Sequence, residues 1–142
     1  GNTFNWLEIT KSDCYKRILM NVVWFDTLSN DVTTAKFSKT GKWLGVGQMG
    51  SDTIRIYNVP SFTLNMSFSA EHSSSTTDIF ELDFNSDDSK MITCGSDGYV
   101  NQRILTNSAT SSIDWKGLIV NGKDVLTCKY STTNRVGCFC DK

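Results

Sequence analysis

Proline occurs once in this chain of 142 residues, at Pro60, and histidine once, at His72. So little proline, beside ten glycines, excludes a linker-rich or collagen-like polypeptide. A lone histidine means that any Ser-His-Asp or Cys-His catalytic arrangement has to be built on His72. Neither sign of charge dominates: fourteen Lys and Arg against fifteen Asp and Glu leave a net charge of −1. The electrostatic footprint of a non-specific nucleic-acid binder is therefore missing, and nucleic acid is not an expected partner. Apolar runs such as 22–25 fall far short of the roughly 18 residues a membrane-spanning helix needs. No basic segment followed by an apolar one opens the chain. The expectation is an intracellular protein, cytoplasmic or nuclear, with no membrane association. The first residue is Gly, as in a processed or excised piece.

Five cysteines, an odd number without secretory context, do not describe a disulfide framework. Cys138 and Cys140 share one face of a strand, a spacing that two soft-metal ligands could use. A tetrahedral zinc site needs four ligands, and His72 is remote in sequence, so both thiols are read as small hydrophobes. Gly45-Val-Gly47 lacks the third glycine of a dinucleotide loop. Asp87-Asp88 lacks the alternating acids and distal Glu of a calcium loop, and reads as a pair of solvated turn residues. Neither cofactor nor metal is expected.

What the chain does contain is alternation. Val32–Phe37 and Ile54–Tyr57 are β-branched or aromatic runs suited to a pleated sheet, and Thr-Gly at 40–41 and Asp-Gly at 97–98 punctuate them. Three segments repeat one pattern. Val32-Thr-Thr-Ala-Lys-Phe37 precedes Lys42–Gly47, Ile79-Phe-Glu-Leu-Asp-Phe84 precedes Lys90–Gly95, and Val125-Leu-Thr-Cys-Lys-Tyr130 precedes Arg135–Cys140. The anchoring aromatics Phe37, Phe84 and Tyr130 stand 47 and 46 residues apart. Further strands follow the first two hairpins, so each period holds four strands, a to d. That is the unit of a β-propeller blade, which must stack on neighbours to bury its faces.

At this point the residues resemble the WD40-repeat family. Val32-x4-Phe37-Ser38-x2-Gly41-Lys42, then Asp52-Thr-Ile-Arg-Ile-Tyr-Asn58, is similar to one repeat, with Tyr-Asn in place of the terminal Trp-Asp. Glu71-His72 falls where the family has Gly-His, and Thr93-Cys-Gly-Ser-Asp97-Gly98 matches its b–c turn. The resemblance implies a hydrogen-bonded structural network of His72, Asp97 and Thr93 inside the blade, with Arg103 standing where a Trp is expected. It implies an all-β, incomplete WD40-like β-propeller of about three four-stranded antiparallel blades. Residues 1–25 read as a partial blade (strands c and d), 32–69 and 78–119 as blades, and 125–142 as a partial blade (strands a and b).

Three blades do not make a ring of four to eight. The segment is expected either to be part of a larger propeller or multi-subunit assembly, or to be completed by another chain, including a second copy in a six-bladed ring. Unpaired edges favour such association. The leading expectation is a non-catalytic scaffold for protein or peptide partners; a hydrolase built on His72 is the lesser one, since the repeat accounts for that residue without chemistry. Loops entering strand a line one face, so Asn30, Asp31, Glu71, Ser73 and Asp78, with Tyr99, are the candidate contact positions. Trp43 and Tyr57 are expected between blades, while Trp6, Trp24 and Phe25 fall in the N-terminal partial blade. The window 71–97 holds Glu71, Asp78, Glu81, Asp83, Asp87, Asp88 and Asp97 against Lys90 alone, an acidic blade between basic neighbours. Such asymmetry steers encounter with a charged partner.

Overall fold

The structure, a computed structural model, describes the backbone of residues 2–11, 18–106 and 111–142, and the side chains of 26–106 and 112–142. Twelve strands account for the described secondary structure: β1 (Asn2–Lys11), β2 (Ile18–Leu28), β3 (Val32–Phe37), β4 (Trp43–Gln48), β5 (Ser51–Asn58), β6 (Leu64–Ser69), β7 (Ile79–Phe84), β8 (Lys90–Gly95), β9 (Tyr99–Leu105), β10 (Ser111–Leu118), β11 (Val125–Tyr130) and β12 (Val136–Cys140). They form two four-stranded meanders, β3-β4-β5-β6 and β7-β8-β9-β10, flanked by the two-stranded sheets β1-β2 and β11-β12. All named pairs are antiparallel. The architecture is an incomplete WD40-like propeller.

The hairpins β3-β4, β7-β8 and β11-β12 share one turn. Gly41 N–H donates to the Ser38 carbonyl (3.0 Å), Asp88 N–H to Asn85 (3.1 Å) and Asn134 N–H to Ser131 (3.0 Å). The closing residue is left-handed each time, at φ 78°, 61° and 60°. Gly, Asp and Asn are the residues that tolerate this conformation, which is why these three recur at one place in the period.

Blades pack through buried residues of strands β4 to β9 and β11. Ile54, Ile56, Met66, Ile79, Leu82, Phe84 and Met91 form one core with Trp43, whose ring lies 6.4 Å from that of Phe84. A second core joins Ile92, Cys94 and Val100 to Val125, Cys128 and Tyr130. A third gathers Leu28, Leu44, Val46 and Tyr57. Gly45 and Gly47 belong to the first contact: a Cβ on Gly47 would sit 2.8 Å from Ile79 Cγ2, and one on Gly45 3.0 Å from Leu82 and Phe84.

Two sequence expectations need correction. The strand before the first blade does not stop at Phe25 but runs to Leu28, which is 2% exposed in the core. Asp88 is no solvated turn residue; it is fully buried, whereas Asp87 is exposed and bonds its own turn through Ser89 and Asn85.

Candidate interaction face and the His72 network

The chain enters strand β7 through the loop 71–76, exposed except at His72 and tied to the neighbouring b–c turns. Asp52 N–H donates to the Ser75 carbonyl (3.1 Å), Ser73 N–H to Asp97 Oδ2 (2.7 Å), and Gly50 N–H to Asp78 Oδ1 (2.5 Å). Each bond satisfies a backbone donor that a loop otherwise leaves to water. The result is a fixed polar end to the two blades.

His72 turns inward from this loop onto Asp97 and Thr93. His72 Nδ1 is 2.9 Å from Asp97 Oδ1, and Nε2 is 3.1 Å from Thr93 Oγ1. The His72 side chain is shut off from solvent and that of Asp97 nearly so. Burial by itself raises the Asp97 pKa. The His72 hydrogen bond, with the Ser73 and Tyr99 N–H donors, more than reverses this and holds the carboxyl well below the usual carboxylate range. Both ring nitrogens are engaged by blade residues, which leaves His72 no free edge from which to act as a base on a substrate.

Arg103, where the family's Trp is expected, is 4% exposed. Its Nη2 donates to the Ser69 carbonyl (2.6 Å) and to Glu71 Oε1 (3.0 Å), and its guanidinium lies 4.7 Å from the Phe68 ring centre. Tyr57, at the corresponding place in the first blade, donates its hydroxyl to Asp26 Oδ2 (2.7 Å). Burial first, then this bond, pushes the phenol pKa up to about 12. In both blades the end of strand c therefore ties down the segment leading into that blade. The Tyr-Asn terminus at 57–58 signals this position; nothing in the sequence signals that an Arg could fill it.

The candidate contact positions divide. Asp31 and Ser73 are exposed. Glu71 is exposed yet paired with Arg103, Asp78 is half-buried on the Gly50 amide, and the Asn30 carbonyl accepts from Gln48 Nε2 (3.1 Å). Tyr99 is half-buried with the Lys116 ammonium 5.0 Å from its ring centre. Met49, 46% exposed in the b–c turn beside Asp31, was not singled out from sequence, because an isolated Met carries no periodic signal there. The side chains of Trp6, Trp24 and Phe25 lie outside the described residues.

The acidic window has an internal use that sequence did not reveal. Glu81 faces Lys36 on one side (3.4 Å) and Lys129 on the other (3.6 Å), and accepts from Thr34 Oγ1 (2.9 Å). Asp83 accepts from Lys39 Nζ (3.0 Å) and from Tyr130 N–H (2.8 Å). These carboxylates join blades rather than standing free to steer a partner. Cys94 and Cys128 are buried, Cys138 half-buried and Cys140 exposed. Among the described residues no three His, Cys, Asp or Glu side chains form a group that could hold a metal.

A chain built in this way has the fold of WD40 β-propellers, and the solved structures similar to it are of that kind. A chain of the mitotic checkpoint complex aligns over 86% of this chain and 40% of its own, with a TM-score of 0.72 and 11% identity. The β-propeller domain of Myceliophteria thermophila Cps50 (Swd1) aligns over 77% and 34%, at TM-score 0.63 and 15% identity. Kluyveromyces lactis Hsv2 aligns over 72% and 35%, at 0.57 and 16%. The chain thus spans between a third and two fifths of the length of these structures. No protein-family model and no curated protein matches it.

Proposed function

We propose that this chain is a non-catalytic protein-interaction scaffold belonging to a larger propeller or multi-subunit assembly. The observation that carries this reading is the loop 71–76, polar and exposed yet fixed by the Asp52, Asp97 and Asp78 bonds. A rigid scaffold presenting polar loops recognises protein or peptide surfaces by shape and charge, without a cofactor. Asp31 and Ser73, with Met49 between the loops, are the contact positions. His72, Thr93 and Asp97 serve the blade's stability. The similar chain from the mitotic checkpoint complex supports a role within assemblies. Affinity capture from native lysate tests the reading: Asp31→Lys with Ser73→Lys should abolish capture of a protein that the wild type retains, at unchanged melting temperature. An unchanged bound set would refute it.

A second reading, a structural subunit completed by another chain, is favoured by the two-stranded sheets β1-β2 and β11-β12. In blade order the first reads as a c–d pair and the second as an a–b pair.

A further inference from the structure

Three of the five cysteines share one core. Cys94 of β8 and Cys128 of β11 are buried in it, and Cys138 of β12 packs against it. Cys140 follows two residues on along β12. Among the described strand pairs, only β11-β12 sets two thiols opposite each other, Cys128 and Cys138. Ser131 N–H donates to the Arg135 carbonyl (2.8 Å), which makes these two a hydrogen-bonded pair. Such pairs alternate with non-hydrogen-bonded ones along an antiparallel ladder. Counting back through Tyr130↔Val136 and Lys129↔Gly137 puts Cys128↔Cys138 at a non-hydrogen-bonded position. There the Cα atoms stand about 4.5 Å apart with both side chains on one face, within the roughly 4.4–6.8 Å that a disulfide spans.

Packing does not ask for thiols at this place. Counted from the anchoring aromatics, the same register position holds Ala35↔Val46 in the first blade and Leu82↔Thr93 in the second. Cys94 lies in the same core but on β8, so a bond from it would have to cross the junction between blades. Cys140 stands opposite Val125 rather than a thiol.

We propose that Cys128 and Cys138 are a site of oxidative modification, closing to a disulfide within the hairpin β11-β12 when the chain meets a small-molecule disulfide such as oxidised glutathione. The Cys138 thiolate attacks one sulfur of that disulfide, forming a mixed disulfide and releasing one small thiolate. The Cys128 thiolate then attacks the Cys138 sulfur, and the second small thiolate leaves. The protein gives up two electrons and two thiol protons, and the small disulfide takes them up as two thiols. The new bond ends the contact in which the Cys128 thiol donates to the Glu81 carbonyl (3.8 Å). Both thiols hold their protons more tightly than usual. For Cys128 the Cys94 thiol comes first, then burial, with Glu81 and Asp83 adding to it; for Cys138 burial comes first, then Cys140 and Cys94. Only the thiolate attacks, so exchange should quicken by about tenfold per pH unit below the thiol pKa.

Peptide mapping tests this. The wild-type chain is incubated with oxidised glutathione at about pH 8.5, once folded and once in denaturant, then alkylated, digested with trypsin and read by mass spectrometry. Cleavage after Lys90, Arg103, Lys123, Lys129 and Arg135 places Cys94, Cys128 and the Cys138–Cys140 segment on three separate peptides. The folded chain should yield peptide 124–129 joined to 136–142 through Cys138, with Cys94 alkylated. In denaturant that preference should be lost. Cys140→Ser should leave the yield within about twofold, whereas Cys138→Ser should cut it at least about tenfold, since only Cys138 carries the exchange. Should Cys138→Ser unfold the chain, the wild-type map decides alone. A main product linking Cys128 to Cys94 or any other thiol, a Cys138–Cys140 bond, a mixed disulfide at Cys138 that never closes, thiols left unreacted, or the same mixture folded and unfolded would each overturn the proposal.

Discussion

His72 shows what one residue contributes to this fold. Its ring joins Asp97 and Thr93 across the entry loop and strand β8, away from solvent. Removing one partner of a buried hydrogen bond leaves the other unsatisfied, which costs about 1–3 kcal/mol. His72→Ala should therefore lower unfolding stability by about 2 kcal/mol in a denaturant titration. An enzyme built on this residue would instead lose turnover with its stability unchanged. Asp97 adds a pH signature. Its folded pKa is depressed, so its contribution is present above the unfolded value near 4 and is lost as pH falls through the folded one. Stability of the wild type should drop on acidification below about pH 4, and Asp97→Asn should flatten that limb. Tyr57 acts at the other extreme. With its pKa raised to about 12, its contribution holds below the unfolded value near 10 and fades as pH rises toward 12. Tyr57→Phe should remove that alkaline loss.

At the scale of the strand, small residues decide how closely blades approach. Gly47 leaves room for Ile79, and Gly45 for Leu82 and Phe84. Gly47→Ala forces a methyl to 2.8 Å from Ile79 Cγ2, and overpacking of this sort costs about 1–3 kcal/mol. Thermal unfolding should register it, whereas Gly137→Ala, which meets nothing within 4 Å, should be neutral or slightly favourable. Much at this scale was legible beforehand. The aromatic period of 47 and 46, the polar turns and the alternation placed the a–b and b–c hairpins, since side-chain direction in a strand has period two. The limits of β2 were not legible, because Asp26-Thr27 interrupts the apolar run before Leu28 enters the core. Asp88 was misread for a related reason: an acid in a tight turn looks solvated until a neighbouring turn is found presenting two amides to it.

For the whole molecule the consequence is uneven protection. The strands β4, β5, β8 and β9 lie inside four-stranded sheets, whereas β12 has one strand partner and a largely exposed residue pattern. Native-state hydrogen exchange should therefore find the amides of β8 and β9 slow and those of the free edge of β12 fast. The sequence by itself determined the all-β class, the repeat and its blade-like quartets, because these follow from local alternation and from turn residues that tolerate few conformations. A network of His72, Thr93 and Asp97 was only what the resemblance to the family's repeat implies. Tertiary structure alone decided where the acids go. Glu81, Asp83 and Asp88 are partnered by residues 44 to 49 positions away, across blade junctions that no local pattern encodes. Charge in a sequence is a property of single residues; whether it faces water or a neighbouring lysine is settled only when the blades stack.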